Sequence, residues 1–146
     1  MSTGLPVFDT TLQESNTWLK EVATRLKPCD RQQAYGALRA VLHGLRDRLP
    51  MEAVMGLSAQ LPMLLRGVFL EGWRPADGPS DIRDPLVFAA DVQRRLPPSF
   101  PREPNAAVEA VFAVLEHHID PGEIEKLTQY LPSPLRTFWP SAHAAA

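Results

Sequence analysis

A single cysteine, Cys29, stands among 146 residues, so no internal disulfide can form, and such usage suits a reducing compartment. Glycine is sparse, with eight in all, and nowhere does it gather into a phosphate-cradling loop. Neither a Gly-x-Ser-x-Gly elbow nor a His-Glu-x-x-His pair occurs, which removes the familiar serine-hydrolase and zinc-protease signatures. No apolar run approaches the ~20 residues that a membrane span needs. The segment Met1-Ser-Thr-Gly-Leu-Pro6 lacks the positive and apolar regions of a secretory leader. A formal net charge of −2 supplies no surplus of Lys and Arg to neutralise phosphates. These absences lead us to expect a cytoplasmic protein with neither nucleic acid nor membrane as a partner. Period-2 alternation is also missing, so no sheet is expected.

What is present is enough to build a core. The 45% hydrophobic and 22% charged content is that of a globular chain rather than a disordered one. A chain of this length buries roughly 68–70% of the surface it exposes when unfolded. The 15 prolines fall at the edges of apolar-periodic segments, where they punctuate helices. An excess of Arg over Lys, together with frequent Ala, points to a GC-rich bacterial genome.

Helical stripes follow one another along the chain. Thr11-Leu-Gln-Glu14 reads as a capping box opening a helix with Leu12, Leu19, Val22 and Leu26 on one face and Trp18 beside them. Pro28 ends it. Asp30 caps the next helix, whose stripe is Ala34, Leu38, Val41, Leu42, Leu45 and Leu49. After Pro50 comes a shorter helix over Glu52 to Gln60, then a fourth started by Pro62 and closed at Gly72. Residues 72–81, rich in Gly and Pro, read as a linker. Asp84-Pro85, Asn105 and Asp120-Pro121 start three further helices. Pro132-Ser-Pro134 leads into a last short helix containing Leu135 and Phe138, and 141–146 reads as a frayed tail.

The chain also resembles itself. Trp18, Val22, Arg25 and Leu26 match Phe88, Val92, Arg95 and Leu96. Ala34, Ala37, Ala40, Val41 and Leu42 match Ala107, Ala110, Ala113, Val114 and Leu115. Leu57, Leu61, Pro62, Leu65, Arg66 and Phe69 match Leu127, Leu131, Pro132, Leu135, Arg136 and Trp139. The order is kept and the offsets change by only a few residues. The expected fold class is therefore all-α: a tandem duplication of a roughly four-helix unit packed as one multi-helix bundle with no sheet. Residues 1–146 form one domain made of repeats at about 9–72 and 82–140. One unit alone is too small to cover its own stripes, so two would share a core.

The segments Ala37-Leu-Arg-Ala-Val-Leu-His-Gly-Leu-Arg-Asp-Arg-Leu-Pro50, Ala59-Gln-Leu-Pro-Met-Leu-Leu-Arg66 and Glu71-Gly-Trp73 resemble a bacterial family known as domain of unknown function 2267. The resemblance runs from about Phe8 to Pro140. It implies an all-helical, internally duplicated fold and carries over no catalytic residues.

Arg39, His43 and Arg46 recur at i, i+4 and i+7 on the side of the second helix away from its apolar stripe. They read as a solvated polar face or as a basic surface for an acidic partner. The corresponding positions of the second unit include Phe112 and Glu116, so this character is not repeated. Trp73 reads as folding back over the fourth helix to seal the junction of the two units, and the alternative is that Trp73 and Arg74, which have hot-spot composition, form a contact surface. Arg66 and Arg136 sit at equivalent places in the repeated Leu-Pro-x-x-Leu-Arg. They read as fixed joints between helices, with anion binding the alternative. The neighbours His117 and His118 point about 100° apart on a helix, and no further ligand is apparent from spacing, so no metal is expected. Cys29 reads as an inert thiol, and no cofactor is expected. The composite expectation is a non-enzymatic helical module that binds a protein partner or itself. The alternative is a small-molecule-binding regulatory domain with a pocket between the two repeats.

Overall fold

A computed structural model describes residues 2–144. Among them the chain forms eight α-helices and two short 3-10 segments, with no strand. The first helix, α1 (Pro6–Arg25), begins five residues before the expected capping box. Pro6 takes the first turn, where a missing N–H costs nothing. Asp9 in that turn accepts from the Thr3 N–H at 2.7 Å. Thr11 therefore lies inside the helix, and its hydroxyl accepts from the Leu64 N–H at 2.9 Å instead.

The second helix, α2 (Arg31–Arg48), starts as its sequence specifies: Asp30 accepts from the Gln33 N–H, and the Gln33 side chain accepts from the Asp30 N–H. Next come α3 (Met51–Gln60) and α4 (Met63–Leu70). Gly72, with φ of +73°, supplies the left-handed residue that ends α4. The linker contains a single 3-10 turn at Pro75–Asp77. Asp84 caps α5 (Pro85–Arg95), and Asp120 caps α7 (Pro121–Gln129). Between them, α6 (Pro104–His118) starts at a proline rather than at Asn105, again because proline is preset for a first helical turn.

The end of the chain departs from expectation in two ways. Residues Ser133–Phe138 form a 3-10 segment in place of an α-helix. Part of the expected frayed tail is α8 (Pro140–Ala144), where Glu116 of α6 accepts from both the N–H and the hydroxyl of Ser141. Residues 145–146 of that tail lie outside the described residues.

Helices α2 and α6 sit at the centre. α2 packs against α1, α4, α5 and α6, and α6 packs in turn against α1, α5, α7 and the chain's last segments. Both are buried well beyond a single stripe: Ala37, Leu38 and Ala40–Arg46 on α2, Ala107–Val108 and Ala110–Leu115 on α6. Their alanines allow close approach, and at Gly36 the backbone comes so near Pro97 that an added Cβ would lie 2.6 Å from its ring. Buried apolar residues from each of α1 to α7 join one cluster. Phe69, Phe88, Phe112 and Trp139 are the largest of its fully buried side chains, with the Phe112 and Trp139 rings stacked at 4.2 Å.

Candidate functional site

The polar side of α2 is not an open face. Its expected solvent exposure is corrected by α4, whose last turn lies across it. Helix ends leave carbonyls without intrahelical partners, and α2 satisfies three of them. His43 Nε2 donates to Val68 O at 2.7 Å, and Arg46 Nη1 donates to Phe69 O at 3.0 Å and Glu71 O at 2.8 Å. A cation there also opposes the negative end of the α4 dipole. His43 and Arg46 are only 5% and 4% exposed. Arg39 alone of the three reaches solvent, in an ion pair with Glu71 at 2.9 Å.

Burial pushes the His43 imidazole below its ordinary pKa. The Val68 bond opposes that shift, while the neighbouring Arg46, Arg39 and Arg95 add to it. The ring is thus held neutral, as an N–H donor. Beside it, burial alone would raise the Asp47 carboxyl, but Arg46 and Arg95 outweigh it and keep Asp47 below the usual carboxylate range. Arg95 bridges Asp47 at 2.9 Å and Asp91 at 3.2 Å, tying α5 to α2.

Arg66 and Arg136 both close helix ends. Arg66 donates to Ser58 O at 3.0 Å and Leu61 O at 3.3 Å, behind α3. Arg136 donates to Leu131 O at 3.2 Å, behind α7. Leu61 and Leu131 each open a Leu-Pro-x-x-Leu-Arg segment. Trp73 is half-buried and packs on the core. Arg74 stays exposed beside Asp77, 3.4 Å away. Cys29 donates to Asp30 O, and burial with the Asp30 charge raises its thiol pKa despite the opposing pull of Arg102; the raised pKa disfavours a reactive thiolate.

Two features escaped the sequence. First, α1 carries Glu21 to the end of α6, where its two carboxylate oxygens meet His117 Nδ1 and His118 Nε2. His118 also stacks on Trp18, with ring centroids 4.8 Å apart. Burial alone would raise Glu21, but hydrogen bonds and charge from His118 and His117 outweigh it and lower its pKa. Glu21 lies 96 and 97 positions from its partners, so no local spacing could have indicated it. Second, several large apolar residues remain outside the core, among them Leu5, Val7, Phe8, Met63 and Leu64, each 45–52% exposed. The Thr11–Leu64 bond brings the start of α4 to the first turns of α1, so these five share one end of the molecule.

Between α3 and α7 lies a cleft of about 230 Å³. Ala53, Leu57, Ile119 and Leu127 line it, with Glu52, Glu123, Lys126 and Tyr130 among its polar residues. Its size falls below the ~300–1,000 Å³ of most small-molecule sites. No described helix is long and apolar enough to cross a membrane.

Among curated proteins, none is similar enough to the chain to count as a match. A family model described as "Uncharacterized conserved protein (DUF2267)" matches residues 15–138. That span covers α2 to α7 and the greater part of α1. On that match, the chain belongs to the domain of unknown function 2267 family.

Proposed function

We propose that this chain is a non-enzymatic protein-interaction module that docks a protein partner, or a second copy of itself, through the joint outer surface of α1 and α4. The observation that carries this reading is the apolar group Leu5, Val7, Phe8, Met63 and Leu64, left exposed outside the buried core. A chain with enough apolar residues to fill its interior has no folding need for a further cluster outside it, and such patches mark contact surfaces. The patch continues along α4 through the exposed Gly67 to the Arg39–Glu71 pair. Arg39 and, three positions beyond Glu71, Arg74 form its charged margin. His43 and Arg46 lie beneath and fix the seat of α4. The polar clusters inside the fold serve joints between helices, which is the reason for placing function on the surface.

The two halves are best read as copies of one unit. Arg66 and Arg136 close the corresponding ends of α3 and α7, and α2 and α6, the corresponding long helices, are the two at the centre. A small-molecule regulatory role is the second reading, favoured by the cleft lying between the equivalent helices α3 and α7.

Affinity capture with wild-type protein and a Phe8→Asp/Leu64→Asp double variant tests the docking surface. Both positions lie in first helical turns, which tolerate an acid. A partner recovered by the wild type and lost by the folded variant is expected. Equal recovery by both would remove the α1–α4 surface from the interaction. Leu57→Phe, which narrows the α3–α7 cleft, should leave recovery unchanged.

A further inference from the structure

The three side chains that meet between α1 and the end of α6 have the composition of a metal centre rather than of an ordinary ion pair. We propose that Glu21, His117 and His118 bind one divalent transition-metal ion of the zinc class, with a coordination position left for water. Two imidazole nitrogens and one carboxylate oxygen are a borderline donor set that suits zinc and its neighbours, whereas magnesium and calcium prefer oxygen alone.

Adjacent residues on a helix ordinarily diverge too far to chelate together. Here the divergence is offset by the use of different nitrogens. His117 offers Nδ1, close to its own backbone, and His118 offers Nε2, at the far edge of its ring. The ligand atoms lie within 4.8 Å of one another. Ligands at about 2.0–2.2 Å from a tetrahedral ion sit roughly 3.3–3.6 Å apart, so small side-chain rotations complete the geometry.

The surroundings favour an ion as well. Among the described residues no Arg or Lys pairs with Glu21, and both its oxygens face imidazoles. The stack on Trp18, with ring planes 15° apart, restricts the rotation of His118. His117 is 63% exposed, which gives the ion a way in and leaves room for the water. The site links the first helix to the sixth, so occupancy would tighten the contact between the two halves of the chain.

Titration calorimetry of the full chain with zinc chloride, beside magnesium chloride, tests the proposal. One zinc per chain and no magnesium binding are expected. Loss of one of three ligands should cost at least the roughly 10–100-fold that losing an outer-shell partner does, so Glu21→Gln and His117→Ala should each weaken zinc binding by at least about tenfold. Both are partly or largely exposed positions, and melting curves of the metal-free variants confirm their folding. Saturating zinc should raise the melting temperature of the wild type by roughly 5–10 °C at about 100 times the dissociation constant, and by much less in Glu21→Gln. Absence of one-to-one zinc binding, equal binding of magnesium, or zinc affinity unchanged in both variants would overturn the proposal.

Discussion

Replacing Arg46 by Met removes the guanidinium that, beside His43, holds the end of α4, and changes little in volume. Arg46 is 4% exposed. Its guanidinium satisfies Phe69 O, Glu71 O and Asp47 Oδ1 at 2.8–3.0 Å. These losses are unequal. Glu71 is exposed, so its carbonyl can turn to water, and Asp47 keeps Arg95. Phe69 is fully buried, and its carbonyl loses its donor. An unsatisfied buried group costs about 1–3 kcal/mol, and hydrogen bonds to a charged group contribute roughly 1.5–3 kcal/mol each. About 3 kcal/mol of lost stability is expected, a large part of the ~5–15 kcal/mol typical of a domain. At roughly 2–4 °C per kcal/mol for a chain of this size, the melting temperature should fall by about 6–12 °C. Arg39→Met is the control on the same helix. Its partner Glu71 is exposed, and such a pair contributes under about 1 kcal/mol. Urea denaturation of the two variants checks the difference. Equal effects, or an Arg46→Met cost below about 1 kcal/mol, would refute the assignment of Arg46 to the α4 joint.

Gly36→Ala sets helix propensity against packing. Alanine is worth about 1 kcal/mol over glycine inside a helix, but its methyl would meet the Pro97 ring at 2.6 and 2.9 Å. Overpacking costs about 1–3 kcal/mol, so net destabilisation is expected by calorimetry. A stabilised variant would mean that the loop before α6 moves aside freely. Stability should also fall with acid in two stages. A His whose folded pKa is depressed contributes stability that is complete above its ordinary value of 6.5 and is lost as pH falls from there toward the folded pKa. Glu21 and Asp47, also lowered, lose theirs only below about their ordinary 4.5 and 3.8. The urea midpoint should therefore drop between pH 7.5 and 5.5, and the drop should shrink in His43→Gln. An identical drop in both proteins would exclude His43 as its source.

Much of the helical plan is legible in the sequence because prolines and apolar stripes are local signals. Asp30, Asp84 and Asp120 cap the helices they precede, and Gly72 ends α4 as its place after an apolar run implies. Errors arose where two local signals competed. Thr11–Glu14 has the pattern of a capping box, but Pro6 starts the helix earlier and frees Thr11 for a contact 53 residues away. Periodicity located the apolar stripe of α2 but not what covers its other side. Whether Arg46 faces water or the end of α4 depends on a tertiary crossing that no window of sequence contains. The Glu21–His117–His118 cluster was hidden for the same reason. Exposure of Phe8 and Leu64 is illegible for the same reason, because an apolar residue type does not say whether the packed fold covers it.

Hydrogen exchange on the wild-type protein, alone and with its captured partner or at self-associating concentration, tests the docking surface most directly. Added protection is predicted in the first turns of α1 and along α4 from Met63 to Glu71, with α3 and α7 unchanged. Protection confined to the α3–α7 cleft, or none at α1 and α4, would contradict the assignment of this surface to partner binding.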